Sequence, residues 1–193
     1  MSFSRTRPPA ALHIALRSAQ GFTLLEALVV LALLGILVSM AVPAVSDWRA
    51  RHQVQAYAQG FLNSLVLARS EALRRQQRVT LCARASDGSC DLQIRWQQGW
   101  LVFADNNHNA LRETHEALIE MHEGAPAGVL QATNSTVKAY FSYDAQGRSI
   151  STTGAFMAGT WRFCKAGSDV GWQVVANALG KPRIEKYTPQ QCP

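Results

Sequence analysis

The stretch GFTLLEALVVLALLGILVSMAVPAV, residues 21–45, is an almost unbroken apolar run with one acid, Glu26, near its start. No charged residue lies between Ala27 and Ala44. A helix rises about 1.5 Å per residue, so this stretch counted back to Phe22 is long enough to reach across a hydrocarbon core of about 30 Å. A carboxylate inside such a run is unfavourable by a few kcal/mol, so Glu26 needs a physical reason. An ordinary secretory signal would place its cleavage site after the run, with AVPA at 41–44 as the candidate and a mature chain starting near Val45. A plain membrane anchor fits the length and leaves Glu26 unexplained. A cut between Gly21 and Phe22 instead creates a new amino terminus beside Glu26, and gives each charge a partner.

The residues after the run read as its continuation. Val54, Ala58, Phe61, Leu65, Ala68 and Ala72 recur at steps of three and four, one apolar face of a helix, while Gln55, Gln59, Asn63, Arg69 and Arg74 occupy other faces. One helix is therefore expected from Phe22 to about Gln76. Pro43 should kink or end it near the membrane edge, and Gly60 should weaken it by about 1 kcal/mol relative to alanine. Beyond Gln76 the pattern changes to β-branched and aromatic segments between turn residues. These are residues 78–83, 99–105, 117–123, 137–144, 159–165 and 171–187. DAQGR at 144–148 reads as a tight hairpin turn with Gly147 free to take positive φ. The expected class is α+β, a long N-terminal helix with an antiparallel β-sheet head. Its parts are a leader at 1–21, a membrane-spanning half-helix at 22–45, an amphipathic half-helix at 46–76 and a β-rich head at 77–193.

With 193 residues, 48% hydrophobic and 17% charged, the chain is one domain plus the apolar run, and wholesale disorder is excluded. The net charge of +6 suits an anionic partner only weakly, because Arg5, Arg7 and Arg17 precede the run and are lost with a leader. Four cysteines, Cys82, Cys90, Cys164 and Cys192, suggest two disulfides in an oxidising compartment. Three pairings are possible; the near pair 82 with 90 and the far pair 164 with 192 are favoured. Zinc is the rival, and no C-x-x-C spacing supports it.

The residues G-F-T-L-L-E at 21–26 followed by the apolar run resemble the N-terminal signature of type IV pilins and type II secretion pseudopilins, the class III prepilin signal. LARSEALRRQQRVTLC, GWLVFAD and the terminal GKPRIEK with a late cysteine narrow the resemblance to the GspH/FimT family of minor pilins and pseudopilins. The resemblance implies cleavage between Gly21 and Phe22 by a prepilin peptidase and N-methylation of Phe22. It places Glu26 fifth in the mature chain, where its carboxylate neutralises the amine of a neighbouring subunit and sets register in a filament. Pro43 falls where pilins carry a kinking proline. The implied protein is single-pass in a Gram-negative inner membrane with its head in the periplasm. Its implied partners are other major and minor pilins or pseudopilins, and its implied role is to help initiate or cap a type IV pilus or type II secretion pseudopilus. The signature is shared by both machines.

No enzymatic centre is legible: no serine, cysteine or lysine has a base at an identifiable spacing, and no glycine-rich phosphate loop is present in the sequence. No cofactor and no metal are expected. Asp105, Asn107, Asn109 and Glu116 match positions 1, 3, 5 and 12 of a calcium loop, but Ala110 stands where the turn requires glycine, and an Asn-rich connection is the simpler account. His108, His115 and His122 recur every seven residues across a loop and a strand, and read as surface histidines. The polar stretch GKPR at 180–183, with Lys186 beyond it, could present Lys181, Arg183 and Lys186 to phosphates, with Arg148, Arg162 and Lys165 extending the patch. It is similar to a C-terminal G-R-x-R motif by which some FimT proteins of naturally transformable bacteria bind DNA. Here Lys181 replaces the first arginine, keeping the charge and losing the bidentate geometry. A solvated hairpin and a DNA contact both remain open, and DNA uptake is the alternative function.

Overall fold

The structure, a computed structural model, describes residues 21–93, 96–189 and 192, and for 40, 42–44, 46–47 and 135 the backbone alone. The expected leader up to residue 20 lies outside the described residues. The chain divides into two compact units at Pro43 and Ala44.

One helix, α1, runs from Leu24 to Arg75, close to the span expected from periodicity, and Pro43 lies within it. Among the described residues no helix is long and apolar enough to cross a membrane, so a membrane span at 22–45 does not follow from the structure. The charge-free stretch Ala27–Ala44 of the sequence includes positions described by backbone alone. The helix stops where Gln76 takes φ 53°, a left-handed cap that prevents propagation. Arg74 and Arg75 in the last turn face the negative end of the helix dipole.

The head is built on the buried face of α1. Val54, Ala58, Phe61, Leu65, Ala68 and Ala72 are all buried, and the alanines among them leave room for strands to approach. Nine strands follow, β1 Val79–Ala83, β2 Gly99–Ala104, β3 Leu118–Glu123, β4 Val129–Thr133, β5 Tyr140–Tyr143, β6 Ser149–Ile150, β7 Gly159–Lys165, β8 Gly171–Ala176 and β9 Pro182–Tyr187. They form two antiparallel sheets, a five-stranded one in the order β3-β2-β1-β5-β6 and a four-stranded one in the order β4-β7-β8-β9. The antiparallel head expected from the sequence is thus made of two sheets. Both contribute to one core with α1, Leu81, Val102 and Phe141 from the first and Trp161, Phe163 and Val174 from the second. The opposite face of the five-stranded sheet holds a smaller cluster of Cys82, Leu101 and Phe103. This is why β1 and β2 are buried throughout.

The expected strand at 137–144 shortens to Tyr140–Tyr143, because Ser135–Val137 winds into a 3-10 turn after Asn134. The turn at 144–148 forms as expected: Gly147 takes φ 71°, and its amide donates to the Asp144 carbonyl at 2.8 Å. The Asp144 carboxylate accepts from the Gln146 and Arg148 amides.

At the end of α1, Glu71 accepts from Arg74 and Arg75, both at 2.6 Å. These cations hold its carboxyl down at about 2. Because the folded-state value is depressed, the stabilisation is present above the ordinary glutamate range and is lost as pH falls towards about 2. The arginines are largely or partly solvent-exposed, so the contribution is below about 1 kcal/mol. Thermal melts between pH 5 and 2 should show a small acid-dependent loss (pH range roughly spanning the titration) that Glu71→Gln removes; an unchanged acid slope in the variant contradicts the pairing.

Candidate functional site

At the start of α1 the Glu26 amide donates to Thr23 Oγ1 at 3.2 Å, and the Ala27 amide to the Thr23 carbonyl at 3.1 Å. Thr23 therefore acts as an N-cap, and T-x-x-E is the spacing of a capping box. Sequence reasoning weighed Glu26 as a charge and passed over Thr23, though the motif was legible. An acid in the first helical turn also meets the positive end of the helix dipole. Phe22, Leu24 and Leu25 beside it are largely exposed, and a Cβ at Gly21 would meet nothing within 4 Å.

Further along α1 the exposed face has an unusual composition. His52, Gln55, Ala56, Gln59, Asn63 and Val66 are exposed, and no Asp, Glu, Lys or Arg occurs between Arg51 and Arg69. Gln59 Nε2 donates to Asn63 Oδ1 at 3.0 Å, so the amides partly satisfy one another along the surface. Solvated helix faces ordinarily carry charge, and this one presents amides and small apolar groups over several turns.

Gly180 sits in the turn between β8 and β9 with φ 73°. A Cβ there would collide with the Gly147 carbonyl oxygen and press on the Tyr143 ring, so the turn is seated against the 144–148 turn and only glycine fits. The Gly180 amide donates to the Asn177 carbonyl at 2.9 Å, closing the turn.

Matching sequence models agree with this architecture at both ends of the chain. The prokaryotic N-terminal methylation motif covers residues 16–42, and the type II transport protein GspH model covers residues 57–180. The chain belongs to the GspH family. Among solved structures, the type IV minor pilin FimU of Pseudomonas aeruginosa aligns with TM-score 0.54 at 20% identity, over 74% of this chain and 97% of that one. A second crystal form of FimU gives TM-score 0.51 at 19% identity, over 72% and 99%. The minor pseudopilin EpsH of Vibrio cholerae gives TM-score 0.48 at 13% identity, over 72% and 99%. The FimU likeness shows the pilin-like fold, a long helix with an antiparallel head. No curated protein matches the chain.

In this GspH-family head the cationic candidates near the C terminus do not converge. Side chains alternate along a strand, and Lys186 lies 5.3 Å from the Trp172 ring on the side where Ile184 packs against the core. Arg183 lies on the other side, 3.6 Å from Glu185, which also accepts from Gln173. Gln173 in turn accepts from Arg162, so Arg162 belongs to that side with Arg183. Lys181 is exposed in the turn just before β9. Arg148 is tied to Asp144 at 2.9 Å, and Lys165 is half-buried at the end of β7. The candidates thus divide into Arg183 and Arg162 on one side of the sheet and Lys186 on the other, with Lys181 in the turn before β9.

The other constellations are structural in this family member. Cys82 is bonded to Cys90 and Cys164 to Cys192; the first bond lies on the small cluster of Leu101 and Phe103, the second ties the C-terminal tail to β7. In the calcium-like loop, Asp105 accepts from the Asn109 and Ala110 amides and from Thr80 Oγ1. Glu116 accepts from the Asn106 and Glu113 amides. The carboxylates therefore fold the loop upon itself, and among the described residues no group of His, Cys, Asp and Glu could hold a metal ion. Burial pushes the Glu116 carboxyl above the usual range. Glu113, hydrogen-bonded with Glu116 and with the side chains of Asn109 and Asn107, is held below it.

The histidines do not act together either. His108 takes φ 67° in the loop and His115 is exposed, whereas His122 departs from the surface reading. Its ring stacks on Trp100 with centroids 4.0 Å apart, and its Nε2 lies 3.1 Å from where a Gly60 Cβ would stand. Gly60, which weakens the helix on propensity, is the position that lets this histidine pack against α1.

Proposed function

We propose that the protein is a structural subunit, a minor pilin or pseudopilin, that helps initiate or cap an envelope filament of the type IV pilus or type II secretion class. The observation that carries this reading is the exposed, charge-free face of α1 between Arg51 and Arg69. Amides and small apolar groups can be buried against a neighbouring helix at lower desolvation cost than charges. In this reading a prepilin peptidase cuts between Gly21 and Phe22, and Phe22 is N-methylated. The charge-free stretch Ala27–Ala44 then holds the subunit in the inner membrane with the head in the periplasm, and Pro43 loosens the helix where it leaves the bilayer. Other pilins or pseudopilins are the partners, and Glu26 sets their axial register.

Asn63→Lys puts a charge in the middle of the exposed face without touching the core. Incorporation into sheared or cross-linked filaments should drop by at least roughly tenfold, the consequence of burying an unpaired charge, while the melting temperature of the chain stays unchanged. Normal incorporation of the variant would remove α1 from the assembly surface.

The second reading, DNA capture during uptake, rests on Lys181 and Arg183, exposed beside the seated Gly180 turn. Lys186, on the opposite side of β9, is the third candidate of this reading. A purely structural subunit shows no salt-dependent binding of duplex DNA. Binding that weakens with salt as phosphate contacts are lost, and disappears in Lys181→Ala/Arg183→Ala, would establish the second reading.

A further inference from the structure

A groove of about 400 Å³ runs between the β1–β2 connection, which contributes Leu92, Gln93 and Trp96, and the segment after it in the head, which contributes residues 131–133 of β4 and Lys138. Its walls are fixed. Trp96 is fully buried, and its indole Nε1 donates to the Val137 carbonyl at 2.9 Å, beside Lys138. The Ala125 amide donates to the Gln97 carbonyl at 2.9 Å, which holds the 3-10 turn Trp96–Gln98 by the entry to β4. The groove is therefore preformed and follows the later half of that strand.

Two independent features of this half are unfinished. Gln131 stands opposite Phe163 in the β4–β7 pair and is 2% exposed, yet neither its Nε2 nor its Oε1 has a hydrogen-bond partner among the described residues. A buried carboxamide lacking both a donor and an acceptor partner is unfavourable, and such groups are rare. The second feature is the backbone. β4 is the edge of its sheet, and among the described residues no backbone bond joins residues 130–133 to anything but β7. An antiparallel edge strand leaves the N–H and C=O of every second residue free. At the same groove Lys138 is exposed and forms no ion pair with a described residue.

A ligand that completes these features must be extended, must offer donors and acceptors to a strand edge, and must carry a second donor and acceptor side by side. Peptide has that chemistry. Side chains directly opposite on neighbouring strands lie about 5 Å apart on one face, so an asparagine or glutamine opposite Gln131 sets carboxamide against carboxamide, each donating to the other.

We propose that the groove is a binding site for a short extended peptide segment of another protein, added along residues 131–133 of β4. An asparagine or glutamine of the segment pairs with Gln131, and an acidic residue of it reaches Lys138. One segment completes the edge, so the contact is one to one and does not propagate. The inference goes beyond the filament reading and does not depend on it.

The test uses the full chain in detergent micelles and a capped peptide of roughly six residues, a short strand's length, in which valine and threonine flank one glutamine and a glutamate follows. Hydrogen exchange read by mass spectrometry against rising peptide concentration should show protection that saturates and is confined to the segment containing β4. The same peptide with leucine for its glutamine should need at least about tenfold more for half-protection, and so should the glutamine peptide on Gln131→Leu. Lys138→Glu should raise the midpoint by about threefold or more. Without peptide, the melting temperature of Gln131→Leu should not fall, because an apolar side chain of similar size replaces an unpaired amide. The site is overturned by absence of protection at about 5 mM peptide, by protection centred away from β4, or by equal midpoints for the two peptides. A fall of more than about 5 °C in Gln131→Leu overturns it as well, since the amide would then be satisfied within the chain. None of these outcomes bears on where the mature chain begins, so the filament reading stands or falls separately.

Discussion

Phe61→Ala should destabilise the head by about 3–5 kcal/mol, the cost of deleting a large aromatic from a packed core. Phe61 is fully buried, and its ring centroid lies 5.3 Å from that of Trp96, 4.9 Å from Trp100 and Trp161, and 5.7 Å from Phe163. Trp96 and Trp100 come from the β1–β2 connection and β2, Trp161 and Phe163 from β7. The residue thus joins α1 to both sheets at once, and no single neighbour can collapse into the space it vacates. The melting temperature should fall by on the order of 10 °C. Leu179→Ala, at an exposed position, should shift it by less than about 2 °C on the same scale. Equal shifts in the two variants would show that the core is not centred on Phe61.

Glu26→Gln separates the two accounts of the acid at the head of the helix. The Thr23 hydroxyl caps the backbone amide of residue 26, a bond that does not depend on the side chain there. The substitution therefore keeps the helix start and removes the charge. If Glu26 neutralises the amine of a neighbour in an apolar environment, its loss leaves a buried cation uncompensated, about 3–5 kcal/mol per contact. That is a hundredfold or more in association, at roughly tenfold per 1.4 kcal/mol. Filament incorporation should fall below detection while the protein still accumulates in membranes and its head melts normally. Incorporation at the level of the unchanged chain would contradict a charge-neutralising role for Glu26.

Much of the fold was legible because it is local. The 3.6-residue period of Val54, Ala58, Phe61 and Leu65 defines the buried face of α1, and Asp144 and Gly147 define their turn, within a few residues each. The division into two sheets was not, because it depends on pairings between distant strands, β1 with β5 and β4 with β7. The segment VLQAT of β4 is too short and too polar to stand out. His122 illustrates the same limit. Its stacking follows from the register that sets it opposite Trp100, which a seven-residue histidine spacing cannot show. Lys186 is the opposite case: three residues after Arg183, it must face the other way in any continuous strand, so the division of the basic patch was readable once the bounds of β9 were known. At the amino terminus both the processing motif and the cap lay in the same six residues, G-F-T-L-L-E.

We propose that this GspH-family chain is made as a precursor and matured between Gly21 and Phe22 for assembly. The most direct test is mass spectrometry of the amino-terminal peptide from the membrane fraction of cells that contain a prepilin peptidase. The account predicts a peptide beginning at N-methylated Phe22, with the unprocessed form accumulating when the peptidase is absent. A mature chain beginning near Val45, or one retaining Met1 in the presence of the peptidase, would contradict it.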